Sequence, residues 1–204
     1  MSELDNRPRE IDLSEAMDGL CRDLCLRLPE LRHIDPDRVL FSLSRSRAGG
    51  THGVYARIAP LRFSNGQVEN SRRRGRYLET FRMPRLRHDG RDILYLITLM
   101  TPRFLRLSFE QKLTTIIHEL YHISEGFDGD IRRFPGRNFA HGSSRAAYNR
   151  IIDTLMQTYL RTDPDPALLA PLRLEEIDWQ EGRVRLSGLR FPLPKAKLVA
   201  RVRV

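Results

Sequence analysis

Cysteine is scarce in this chain, at 2 of 204 residues. So few thiols exclude a disulfide-stapled scaffold, and two thiols cannot by themselves close a four-ligand structural zinc site. Cys21 and Cys25 stand four apart in a segment, 14–28, that reads as an amphipathic helix. Thiols on adjacent helical turns rarely reach disulfide geometry, so both are expected as buried free thiols in a reducing compartment. Long apolar runs are missing as well. No stretch approaches the length that crosses a bilayer as a helix. The opening residues, Met-Ser-Glu-Leu-Asp-Asn-Arg-Pro-Arg-Glu, carry no apolar leader region. The expectation is a cytoplasmic protein with no membrane partner. There are no internal repeats, which excludes a solenoid. Lysine is limited to Lys112, Lys195 and Lys197, so arginine carries almost all the positive charge.

What is present suffices for one domain, or one domain with a small appendage, and for a sizeable core. The formal net charge is +9, and it is unevenly spread. Residues 45–91 hold 12 Arg against Glu69, Glu79 and Asp89, a balance of +9. Residues 182–204 hold 5 Arg and 2 Lys with no acid, a balance of +7, which leaves −7 for the rest. Clustered cations attract polyanions by steering and counterion release, so these two segments are the candidate contacts for nucleic acid. An arginine-rich solvated surface is the competing reading.

The most informative pattern lies at residues 114–123, Thr-Thr-Ile-Ile-His-Glu-Leu-Tyr-His-Ile. It contains H-E-x-x-H as His118, Glu119 and His122. Helical residues four apart share a face, so two imidazoles can be offered to one metal ion. Glu119 adjoins the first of them, where a carboxylate can reach a water on that metal and act as general base. The flanks supply the helix. Ser108 with Gln111 makes a capping box, and Leu113, Ile116, Ile117, Leu120 and Tyr121 recur at helical spacing. The helix is predicted over 109–125, with Gly126 as its stop.

A catalytic zinc site needs a third protein ligand. His141, in Phe-Ala-His-Gly-Ser-Ser, is the leading candidate because neutral imidazole suits zinc. Asp128, Glu125 and Asp153 are its acidic rivals, although Asp128 and Asp130 flank Gly129 in a pattern that also fits plain turn chemistry. Ser143 or Ser144 would cap a second helix carrying Ala147, Ile151 and Leu155 and, on the adjoining face, Tyr148, Ile152, Met156 and Tyr159. Tyr148, Arg137 and Asn138 are candidate donors to a tetrahedral oxyanion, with a core role as the competing reading for Tyr148.

His-Glu-Leu-Tyr-His-Ile, then Phe-Asp-Gly, Arg-Arg-Phe and Asn-Phe-Ala-His-Gly, resembles metallopeptidases found in phages and bacteria, over about residues 94–159. More distantly, H-E-x-x-H followed by His-Gly is similar to the SprT/Spartan-like zinc proteases, from which the chain departs in having no downstream cysteine pairs. The resemblance implies a zincin fold, one Zn²⁺, ligands at His118, His122 and His141, Glu119 as base, and a protein or peptide substrate.

Along the chain, residues 1–11 read as a frayed start, 12–162 as the zincin-like unit and 163–204 as a C-terminal β appendage. The first helix spans 12–28 and ends before Pro29. Strands are predicted at 38–44, 53–63, 77–84 and 92–100, with turns at 64–66 and 88–91 and a basic loop at 71–76. The 92–100 strand is expected to bind substrate along its edge if that edge is open. The appendage reads as three strands, 172–179, 183–191 and 197–204, the last two alternating basic and apolar. The fold class is α+β, with a small sheet packed on the motif helix and a second core helix. The function expected is zinc-dependent peptide hydrolysis. The alternatives are a non-catalytic, metal-stabilised nucleic-acid-binding or regulatory module, and a peptidase dedicated to one regulatory partner.

Overall fold

The computed structural model describes residues 8–45, 54–134 and 144–204. In chain order its elements are β1 (Arg9–Asp12), α1 (Leu13–Arg27), β2 (Val39–Arg45), β3 (Ala56–Pro60), β4 (Glu69–Arg74), β5 (Tyr77–Arg82), β6 (Leu86–His88), β7 (Arg91–Ile93) and β8 (Tyr95–Thr101). Then come α2 (Phe109–Tyr121), α3 (Arg145–Arg161), α4 (Pro166–Leu169), α5 (Glu176–Gln180), β9 (Val184–Ser187) and β10 (Lys197–Arg203). The architecture is α+β.

The central sheet has the order β2-β8-β3, with β2 parallel and β3 antiparallel to β8. Side chains alternate across a strand, and that alternation sorts the core. Val39, Phe41 and Leu43 of β2, with Tyr95, Ile97 and Leu99 of β8, share a cluster with the apolar stripes of α1, α2 and α3. Leu40 and Leu96 face the opposite way, joining Ala59, Leu61 and Ile93 in a smaller cluster that Leu86, Leu189 and Phe191 cover. Both faces of β2 and β8 are thereby buried, which is why these strands read as nearly continuous apolar runs. Full burial of each Leu or Ile contributes about 1.5–3 kcal/mol, so this sheet is the anchor of the unit.

The helices start where side chains cap them. Asp12 accepts from the amides of Ser14 and Glu15 at α1, and the Ser108–Gln111 capping box is formed at α2. Ser144 caps α3 through the Ala147 amide. The predicted stripe of α2 is buried, Leu113, Ile116, Ile117 and Leu120 among it, and so is the Tyr148, Ile152, Met156 and Tyr159 face of α3 with Leu155, whereas Ile151 turns to solvent and Ala147 is half-buried.

Several expectations are corrected. Residues 9–11 are not frayed: β1 runs parallel to β9, and Ile11 is buried with Leu105, Leu174 and Val184. A single apolar residue among charges hid this strand, whose partner lies some 175 residues away. Residues 1–7 lie outside the described residues. The basic stretch 71–76 is mostly strand, because β4 and β5 form a hairpin closed at Gly75, where φ is +60°. The 172–179 segment is helical turns ending in α5, set by Pro171 and by the reciprocal Glu175–Asp178 cap. Short apolar runs do not separate these states by periodicity.

The C-terminal strands pair away from each other. β9 joins β1, and β10 joins β5 antiparallel in a second sheet of order β10-β5-β4. Between them the chain runs along the open edge of β2: the Leu43 amide donates to Leu189 O at 2.7 Å, and the Phe191 amide donates to Ser42 Oγ at 2.9 Å.

Candidate metal centre and active site

The motif falls on the last turn of α2. The helix ends at Tyr121 rather than at residue 125, because Ile123, fully buried, bridges back to Ile131 and the Arg132 amide donates to His122 O at 2.6 Å. His122 keeps helical dihedrals as the C-cap (φ −72°, ψ −14°), so the four-residue register with His118 survives.

The two Nε2 atoms converge to 3.0 Å. Two Zn–N bonds of about 2.0–2.1 Å at a tetrahedral angle span about 3.4 Å, so a small adjustment lets both imidazoles hold one ion. The tautomer fits as well. Nδ1 of His122 lies 3.4 Å from the Tyr148 hydroxyl, which lies 3.5 Å from His118 O. With Nε2 given to a metal, Nδ1–H donates to Tyr148 Oη and the phenol donates onward to that carbonyl. Both contacts are long, and the Tyr148 ring adds a stack on His122 at 5.4 Å and an edge contact to His118 at 5.1 Å. Burial pushes the Tyr148 phenol up, so it stays neutral.

Glu119 is 8 % exposed. Burial pushes its carboxyl up to about 7, opposed by a hydrogen bond from the Ile58 amide and by the charge of Arg57. The Ile58 amide donates to Glu119 Oε2 at 2.8 Å. Ile58 belongs to β3, whose outer edge faces α2. Tyr55 and Leu61 bond inward, at Met100 N and Leu94 O, so the backbone groups of Ala56, Ile58 and Pro60 point outward. Pro60 lacks an amide, which an edge tolerates. A cleft of about 220 Å³ lies here, lined by Val54, Tyr55, Ala56, Thr114, Thr115, His118 and Glu119.

The edge expected to receive substrate was that of residues 92–100. The structure does not meet that condition, since β8 is flanked on both sides by β2 and β3; among the described residues the open edge beside the motif is β3. Ile58 was missed because a backbone amide has no sequence signature.

Among the described residues no third His, Cys, Asp or Glu completes a three-donor group with the motif histidines. Asp128 belongs to the loop's own network: its Oδ1 accepts from Ser124 Oγ at 2.5 Å and from the Asp130 amide at 3.1 Å. Asp130 pairs with Arg133 at 3.0 Å, and Gly129 takes φ +88°. This is the turn chemistry that the sequence also allowed. Glu125 pairs with Arg132 at 3.0 Å, and Asp153 is exposed on α3. His141, Arg137, Asn138 and Ser143 lie outside the described residues. No helix among the described residues is long and apolar enough to cross a membrane.

A family model described as "putative phage metallopeptidase" matches residues 11–150, over two thirds of the chain. The match spans β1 to the start of α3 and includes every motif residue. No curated protein and no solved structure matches. The resemblance to the phage family is thus borne out, and nothing is added for the SprT-like one. The α+β arrangement, a small sheet laid along a motif helix with a second helix behind it, is consistent with a zincin-like fold.

Proposed function

The chain belongs to the phage metallopeptidase family, and from that premise we propose that it hydrolyses peptide bonds with one Zn²⁺ held by His118, His122 and His141 and with Glu119 as general base. The observation that carries this reading is the convergence of the two Nε2 atoms at 3.0 Å beside a buried carboxylate at an open strand edge. Zinc, when bound, supplies Lewis acidity that brings a water near neutral pKa and polarises a carbonyl.

The chain's own residues do the rest. The outward amide and carbonyl of Ala56 and the carbonyl of Ile58 pair with an extended peptide laid along β3, as strand addition requires. The Ile58 amide holds Glu119 in place. With its carboxyl up at about 7, Glu119 is suited to take a proton from water and return it to the leaving amine near neutral pH. Tyr148 fixes the His122 ring and its tautomer, which favours a positioning role over donation to an oxyanion.

A non-catalytic module would need the two histidines only for stability. The buried Glu119 beside an open edge favours the peptidase, because a buried carboxylate held by a single backbone amide costs stability that a merely structural site has no use for. The test is metal content by elemental mass spectrometry on wild type and His141→Ala, with hydrolysis of an unstructured protein followed in parallel. About one zinc per wild-type chain, clearly reduced in the variant, is expected. Full zinc in the variant would remove His141 from the ligand set, and a metal-replete wild type inert on many peptides would point to one dedicated partner.

A further inference from the structure

The two basic segments, distant in sequence, are brought together by the fold. Strands β4 and β5 come from the first and β10 from the second, and they form one sheet of order β10-β5-β4. Glu79 is the one buried residue among these three strands, so the sheet stands clear of the core on both faces. Across the sheet, Arg203 and Arg74 both lie opposite Tyr77, while Arg201 and Arg72 both lie opposite Glu79. Alternation puts all four arginines on one face, with Tyr77, Glu79 and Phe81 between them.

The side-chain contacts agree. Arg201 lies over the Tyr77 ring at 4.0 Å and Arg72 over the Phe81 ring at 4.5 Å. Glu79 is 4.0 Å from Arg72 and 3.6 Å from Arg201. One carboxylate is shared by two guanidiniums, and Arg74 and Arg203 have no ion-pair partner among the described residues. Among the described residues the face therefore keeps a surplus of positive charge. The same two segments meet again nearby. Arg45, Arg57 and Arg190 line a pocket of about 270 Å³ that no carboxylate lines. Leu193, in that pocket, is four residues from Lys197, the start of β10, a reach of at most about 14 Å.

We propose that this face of the β10-β5-β4 sheet binds single-stranded nucleic acid, independently of the peptidase reading. Arginines two apart along a strand are about 6.7 Å apart, a stride that a flexible phosphate backbone can follow. Charge complementarity selects a polyanion. The ring-on-guanidinium stacks at Tyr77 and Phe81 are flat surfaces on which an unpaired base can lie, and a closed duplex does not offer its base faces to such a surface.

The experiment is fluorescence anisotropy with a labelled single-stranded DNA of about thirty nucleotides, the matching duplex as competitor, and salt from about 50 to 300 mM. One variant carries Arg72→Glu, Arg74→Glu, Arg201→Glu and Arg203→Glu. A second carries the same charge change elsewhere, at Arg9, Arg32, Arg150 and Arg161, all exposed. Circular dichroism and gel filtration check both folds. The expected result is binding that weakens steeply with salt, a loss of about tenfold or more in the sheet variant, and less than about threefold in the second. Equal loss in both variants would overturn the proposal, because net charge alone would then act. Absence of binding by the wild type, equal affinity for the duplex, or adsorption to phosphatidylserine vesicles without DNA binding would also overturn it. A single variant, Tyr77→Ala, separates stacking from charge: weaker binding with an unchanged salt slope supports the stacked base, and unchanged binding removes it.

Discussion

The Ile58 amide and the Glu119 carboxylate meet at 2.8 Å across the gap between β3 and α2. That bond ties the candidate base to the strand edge on which a peptide would lie. Any shift of β3 shifts the base, so positioning of substrate and proton transfer are coupled through one backbone group. Glu119→Gln keeps the shape and can still accept the Ile58 amide, but it cannot take a proton. The variant is expected to keep the zinc of the wild type and to lose activity by about 10²–10⁴-fold. Full activity in that variant would remove Glu119 as the base.

The same carboxyl makes metal-free stability depend on pH. Its folded pKa is raised from 4.5 to about 7, so the folded state holds the proton more tightly than the unfolded chain. Such a group is harmless below pH 4.5, and its cost grows as pH rises toward 7. Glutamine does not titrate. In EDTA, Glu119→Gln is therefore expected to gain on wild type as pH rises across that window, by up to about 3 kcal/mol. Urea melts at several pH values measure the gap. A gap that stays constant with pH would mean that the burial of Glu119 is not what separates the two proteins.

Tyr148→Phe removes the hydroxyl that faces Nδ1 of His122 while keeping the ring stack. Outer partners of ligating histidines typically contribute 10–100-fold in metal affinity, and these contacts are long, so about tenfold weaker zinc binding is expected. Competition with a chromogenic chelator reads it directly. If instead zinc affinity is unchanged and kcat alone falls, Tyr148 acts on the oxyanion rather than on the ligand.

Asp128→Ala tests the acidic rival. Its Oδ1 accepts from Ser124 and from the Asp130 amide, so its loss is expected to cost about 1–2 kcal/mol. Zinc content should not change. A variant that folds but loses its metal would place Asp128 among the ligands and displace His141.

The motif was legible because it is local. Four-residue spacing, a capping box and an apolar stripe all lie within α2, and each is set by neighbours in sequence. The strands of the central sheet were legible because burial on both faces leaves continuous apolar runs. What could not be read depends on pairing at long range. Nothing near Arg9 announces Val184, nothing near Tyr77 announces Arg203, and the Ile58 amide is anonymous in sequence. The loss of the β8 edge is of the same kind, since an edge is defined only by which strands arrive beside it.

The C-terminal segment lies largely beyond the family match at residue 150, yet it is built into the body of the unit. Gly188 shows how closely. Its φ is +154°, and a Cβ there would stand 2.7 Å from Leu43 Cδ1 and 2.8 Å from Ser14 Oγ. Ser14 Oγ also accepts from the Leu189 amide at 3.0 Å, so the serine cannot retreat without giving up that bond. Gly188→Ala therefore combines backbone strain with overpacking against β2 and the first turn of α1. A loss of about 1–3 kcal/mol is expected, seen as a lower midpoint in urea with zinc content per folded chain unchanged. Alanine at Gly182 is the comparison, since its φ of +72° lies in the left-handed region that alanine enters at modest cost and nothing lies within 4 Å of the added Cβ. If the two substitutions cost the same, the close approach of Leu43 and Ser14 contributes nothing, and the tail is docked on β2 more loosely than these distances require.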